Sequence, residues 1–204
     1  MVPLGATRTG ASRSKSNCFS SLRVVDIARW KGDMTRRNSE IGSENMVVEV
    51  SDTQSHMTVD QPMLRALVMD TLQNHHIDIA TISIVVVDNA DIHILNGRYL
   101  GHDWPTDVIT FPISDAGDQR FIGELVVSGE MAATTAREIG VDPGDELALY
   151  VVHGLLHLCG YDDITAKGRA AMRAAESVVL SAAGITNPFE LIERARRETS
   201  SCMG

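Results

Sequence analysis

Cysteine is scarce in this chain. Its three cysteines, Cys18, Cys159 and Cys202, stand too far apart for a disulfide framework or a paired-cysteine metal knuckle. That usage predicts a reducing, cytoplasmic setting. Long apolar runs are missing too: no stretch of about 18 uncharged apolar residues occurs, so no transmembrane helix is expected. A signal-peptide apolar core and internal repeats are also absent. Positive charge is thin over most of the chain. Residues 1–45 hold eight Lys/Arg and four Asp/Glu, net +4, whereas residues 46–204 hold ten and twenty-three, net −13. An acidic domain repels a phosphate backbone at long range, which counts against indiscriminate nucleic-acid binding. What is present is ordinary for a soluble protein: 204 residues, 44% hydrophobic and 22% charged, enough for one domain with a real core.

Residues 1–45 differ from the rest, being rich in Ser, Arg, Thr and Gly without an apolar period. Three readings compete there: a disordered tail, a mis-set start with translation beginning at Met34 or Met46, and a transit peptide. Residues 46–204 read as one domain. Met46–Val50, Thr81–Val87, Asp107–Phe111 and Phe121–Ser128 are predicted strands, the last central. Helices are predicted from Pro62, from Asp88 through Leu95, over Glu130–Ile139, from the Asp142-Pro143 cap to Leu158, and over Thr165–Ala183. Asn187-Pro188 is expected to open a short terminal helix. The expected fold class is α+β, a small mixed sheet of about four strands packed with helices.

The segment His153-Gly-Leu-Leu-His157-Leu-Cys-Gly160-Tyr-Asp-Asp163 carries the chemistry. His153 and His157 are four apart on a predicted helix, so both rings lie on one face, one turn apart. Gly160 can take a positive φ, end the helix and return Asp163 to that face. Imidazole and carboxylate both suit zinc, and three protein ligands leave an open position, the mark of a catalytic site. Asp162 is the alternative carboxylate. Cys159 is read as a small core residue. A paired histidine alone often occurs by chance; here the pair sits in an apolar helix, where unpartnered histidines would cost a few kcal/mol. Gly154 stands where the metalloprotease His-Glu-x-x-His motif carries its general base.

This segment resembles the signature of the YbeY endoribonucleases, the bacterial rRNA maturation factors. Leu95-Asn96 with Pro105-Thr-Asp-Val-Ile-Thr-Phe-Pro112, and Ile122-Gly-Glu-Leu-Val-Val-Ser128, resemble two further stretches of that family in the same order. The likeness runs from about Met46 to Ala183. It departs at residue 163, Asp where the family usually has His, and at Leu100, where members often carry an arginine; Arg98 lies on the other side of Tyr99. The resemblance implies a small mixed-sheet, zincin-like fold. It implies a zinc-dependent, single-strand-specific endoribonuclease acting in 16S rRNA 3′-end maturation and late ribosome quality control. Its expected partners are the 16S rRNA precursor, the small ribosomal subunit and assembly factors, not a membrane.

The expected site is therefore one zinc ion on His153, His157 and Asp163, with Arg98 as the catalytic cation and Arg120 as a second candidate to hold a phosphate. Thr106 reads as a turn residue, and Asp107 as either turn or site. Two rivals remain: a metalloprotease-like zinc hydrolase, and a non-enzymatic ribosome-assembly factor whose zinc is closed by a fourth ligand, for which His102 is the candidate.

Overall fold

The computed structural model describes residues 45–115 and 117–189. The extension expected over residues 1–45 lies outside them except for Asn45, and the helix expected after Asn187-Pro188 lies largely outside. The strands are β1 (Met46–Asp52), β2 (Ala80–Val87), β3 (Val108–Pro112) and β4 (Phe121–Ser128). They form one mixed sheet in the order β1-β2-β4-β3, parallel except for the antiparallel pair β3–β4. β4 is an interior strand, as expected.

The helices are α1 (Gln61–Asn74), α2 (Asn89–Leu100), α3 (Gly129–Ile139), α4 (Pro143–Leu158) and α5 (Ala166–Ala182). Each begins on a side-chain cap: Asp60, Asp88, Ser128, Asp142 and Thr165 each accept a backbone N–H of the first turn. α2 outlasts the expected end at Leu95 by five residues. The polar stretch Asn96-Gly-Arg98 has no apolar stripe to signal a helix. The helix persists because Asn96 is buried against the chain that follows, its Nδ2 donating to the Trp104 carbonyl at 2.7 Å. Gly101, at φ 74°, then ends it. No described helix is long and apolar enough to cross a membrane.

α4 is the central helix. Leu147, Ala148, Val151, Val152, Leu155 and Leu156 are buried in it, against Ile82, Ile84 and Val86 of β2 and Leu125 and Val127 of β4. Fully burying such a side chain stabilises by about 1.5–3 kcal/mol. Close approach is set by Gly154, where a Cβ would stand 2.8 Å from Val108 Cγ2 and 3.1 Å from Leu125 Cδ2. A side chain there would have to push Val108 aside, so the position that holds Glu in the protease motif is packing surface in this chain.

Side chains alternate across a strand, so Glu124 points away from α4, toward the face covered by α2. It is buried, and loss of water pushes its carboxyl up to about 7. A carboxyl raised from 4.5 in the unfolded chain favours the protonated fold. The stability it contributes is complete below pH 4.5, falls as pH climbs toward 7, and is gone above. Glu124→Gln should therefore raise the melting temperature most above pH 7, by no more than about 3 kcal/mol of stability. The two proteins should melt together below pH 4.5 in pH-dependent thermal unfolding. Gly154→Val should cost about 1–3 kcal/mol by overpacking, read as a melting point several degrees lower at neutral pH.

Candidate metal centre

The end of α4 folds back on itself through a glycine cap. Gly160 has φ 94°. Its N–H donates to the His157 carbonyl at 3.0 Å, and the Tyr161 N–H donates to the Leu156 carbonyl at 3.0 Å. This Schellman closure satisfies the last carbonyls of the helix and reverses the chain. Tyr161 is anchored beyond the turn, its hydroxyl 3.3 Å from His75 Nε2 and its ring edge-on to that imidazole. The returning chain is held by Arg169, which donates to the carbonyls of Asp163 at 3.0 Å and Ile164 at 2.7 Å.

The three side chains singled out from sequence meet at this turn. Ligand atoms of His153, His157 and Asp163 all lie within 4.8 Å of one another. His153 Nε2 is 3.1 Å from His157 Nε2. Asp163 Oδ2 is 3.9 Å from His153 Nε2, and its Oδ1 is 3.9 Å from His157 Nε2. A tetrahedral ion with bonds near 2.0 Å spaces its ligands by roughly 3.3 Å. Asp162 is not in the cluster; its Oδ1 accepts the Ile164 N–H at 2.9 Å. Cys159 is not in it either. It packs against the core, and burial pushes its thiol up to about 11.

The far nitrogens of the two rings decide what this cluster can hold. The Tyr161 carbonyl can only accept, so the 3.0 Å contact makes His157 Nδ1 the donor. His153 Nδ1 is 2.7 Å from Oε1 of Glu176, a buried carboxylate on α5, and donates to it. With both Nδ1 atoms protonated, the Nε2 atoms of the neutral rings carry lone pairs and come within 3.1 Å of each other, the rings edge to face. Two lone pairs at that distance repel unless a cation lies beside them or one ring takes a proton. Carboxylate or carbonyl partners on the outer nitrogen are also what fix the tautomer of metal-ligating histidines. The donor set and its hydrogen bonding fit a divalent metal. The side chains of His153, His157 and Asp163 are 21%, 29% and 42% exposed, so the cluster is open to solvent on one side.

A cleft of about 200 Å³ adjoins the cluster, walled by Asp107, Tyr150, His153, Asp163, Arg169 and Arg173, with Glu176 and Phe189. Asp107 thus belongs to the site; Thr106 serves it, donating to Asp107 Oδ1 at 2.8 Å. Burial works to lower the His153 pKa. The Glu176 hydrogen bond and the charges of Glu176, Asp107 and Asp163 outweigh it, leaving the ring above its ordinary value. Arg173 lies over the Phe189 ring at 3.6 Å. Arg98 and Arg120 do not wall the cleft. Arg98 lies on α2, 5.3 Å from the Tyr99 ring centroid. Arg120 is at the start of β4, donating to the carbonyls of Ala80 and Asn45. His102 stacks on Trp104 and is not in the cluster. Sequence reasoning missed Glu176, Arg169 and Arg173. The only hint was an i, i+4 pair of arginines on one face of a helix that also carries a glutamate, with nothing local to tie them to the histidines.

Residues 49–184 match the family model described as endoribonuclease YbeY. An endoribonuclease YbeY of Carboxydothermus hydrogenoformans is 36% identical over 141 residues, 68% of this chain and 99% of the relative. That of Rhodopirellula baltica is 43% identical over 114 residues, 55% of this chain and 58% of the relative. Among solved structures, the solution structure of TM1509 from Thermotoga maritima is 23% identical, with a TM-score of 0.48, covering 66% of this chain and 90% of that one.

Metal titration should separate direct from supporting roles. His157→Ala should abolish stoichiometric binding of a divalent ion, whereas Glu176→Gln should weaken it by about 10–100-fold, the usual effect of losing a partner of a ligating histidine. Binding displaces any proton on His153. Affinity should therefore fall as pH drops through that ring's raised pKa and recover on the alkaline side. Metal content unchanged in His157→Ala would remove that ring from the site.

Proposed function

The chain belongs to the endoribonuclease YbeY family, and on that premise we propose that it is a zinc-dependent endoribonuclease specific for single-stranded RNA. Its place is in 16S rRNA 3′-end maturation and late ribosome quality control, in the cytoplasm, on precursor RNA held by the small ribosomal subunit and its assembly factors. The observation that carries this reading is the convergence of two Nε2 atoms, each ring committed to a partner at Nδ1, with a carboxylate beside an open cleft.

His153, His157 and Asp163 would hold the ion. Bound zinc supplies a Lewis acid at the phosphate and hydroxide at neutral pH. The remaining work falls to the chain. Glu176 keeps His153 in the tautomer that presents Nε2. Thr106 engages Oδ1 of Asp107, leaving Oδ2 to accept a proton from water in the cleft. Arg173, packed over the Phe189 ring in the cleft wall, would offer its N–H groups to the phosphate oxygens. Arg98, outside the cleft, would meet the backbone of the same RNA strand. The acidic domain suits RNA presented by a ribosomal particle rather than captured from solution, because net repulsion slows encounter but not the chemistry of a strand already in place.

The protease alternative lacks a base at residue 154, where a side chain would have to displace Val108. The assembly-factor alternative needs a fourth protein ligand; among the described residues the cluster has three.

The test pairs purified protein with cells that lack it. Zinc-loaded protein should cut an unstructured RNA but not the same sequence in duplex, slowly on free RNA and with a shallow salt dependence. Chelation and His157→Ala should each remove the activity, and Arg173→Ala should raise KM more than it lowers kcat. Cells without the protein should accumulate 16S rRNA with an unprocessed 3′ end. Normal ends there, or cleavage that survives His157→Ala, would defeat the proposal.

A further inference from the structure

We propose that Trp104, with His102 stacked against it, is a platform on which a nucleobase of single-stranded RNA stacks beside the metal cleft. The inference rests on the endoribonuclease reading and adds a substrate contact to it. Trp104 is 57% exposed, a large apolar ring left in water. His102 lies parallel to it, ring centroids 4.7 Å apart and planes within 10°. An imidazole covers part of the indole, and more than half the residue's surface still faces solvent.

The loop that displays this pair is built, not slack. Buried Asn96 donates from Nδ2 to the Trp104 carbonyl at 2.7 Å, and its own carbonyl accepts the His102 N–H at 3.4 Å. Asp103 is tied to His93 Nε2 at 2.8 Å. Pro105 fixes the chain just after the indole. A ring held in place costs little further ordering when a ligand stacks on it.

Position and chemistry select the ligand. Trp104 is three residues from Asp107, which walls the cleft, so their Cα atoms are at most about 11 Å apart. A strand whose phosphate reaches the cleft can lay a neighbouring base on the indole. Arg98, on the last turns of the preceding helix, adds a cation near the same loop. Stacking is indifferent to base identity because every base has a π face, and it needs no positive potential. It therefore supplies affinity that a domain of net charge −13 cannot draw from long-range attraction.

The chain has two tryptophans, Trp30 and Trp104. Trp30→Phe in the full chain makes Trp104 the sole indole reporter. Titration with a short unstructured oligoribonucleotide should quench its emission, whereas the matching RNA duplex should not. Trp104→Ala should weaken oligonucleotide binding about tenfold, within the range for one stacked base. Trp104→Phe should restore most of that loss, and all three variants should keep wild-type metal content. Emission that ignores RNA, equal quenching by duplex, or unchanged affinity in Trp104→Ala each overturns the platform. Cleavage is not part of the readout. An inactive protein that still binds RNA through Trp104 would break the nuclease reading and leave the platform standing. An active enzyme indifferent to Trp104 would do the reverse.

Discussion

Two imidazole Nε2 atoms brought within 3.1 Å of each other are the contact on which the site depends. Nothing about histidine forces that arrangement. It exists because each ring is committed on its far side, one to the Tyr161 carbonyl and one to the Glu176 carboxylate. The carbonyl is a product of the helix cap at Gly160, since the same turn that closes α4 brings Tyr161 alongside His157. The carboxylate comes from α5. A protein that buries a glutamate to hold one histidine accepts a desolvation cost, and a cation on the opposite nitrogen offsets it.

The fold exists to hold that contact rigid. α4 is apolar along nearly its whole length and lies on the sheet at van der Waals contact, with Gly154 letting β3 and β4 approach. His153 and His157 lie on the side of α4 that meets Glu176 of α5 and the returning Asp163. A helix so fully packed has little freedom to rotate, so the two rings stay in register with the returning Asp163. The absence of a side chain at 154 serves this packing and at once removes the base a protease of this motif would need. One glycine thus bears on both stability and the type of reaction.

The acidic domain and an RNA substrate are reconciled by local features. Cations that matter are few and placed: Arg173 at the cleft wall, Arg169 spent on the carbonyls that hold Asp163, Arg98 near the exposed loop. An aromatic pair on a braced loop draws on dispersion and desolvation in place of charge. Arg98 was the sequence's best cation, and the structure sets it outside the cleft while placing two others within it.

Local order was legible because local rules produce it. Strand and helix positions follow from apolar period and from caps such as Asp88 and Asp142-Pro143, and the boundaries agree to within a few residues except in α2. There a buried amide bond from Asn96, a tertiary contact, extends a helix that the polar sequence appeared to end. The pairing of His153 with His157, and the return of Asp163 after Gly160, were likewise readable, since helix pitch and a positive φ at glycine act over only ten residues. The strand order, the partnership of His153 with Glu176 twenty-three residues on, the wall of Arg169 and Arg173, and the admission of Asp107 to the cleft were not. Those depend on how separate elements dock, and docking is set by the summed fit of many buried side chains, which no local spacing records.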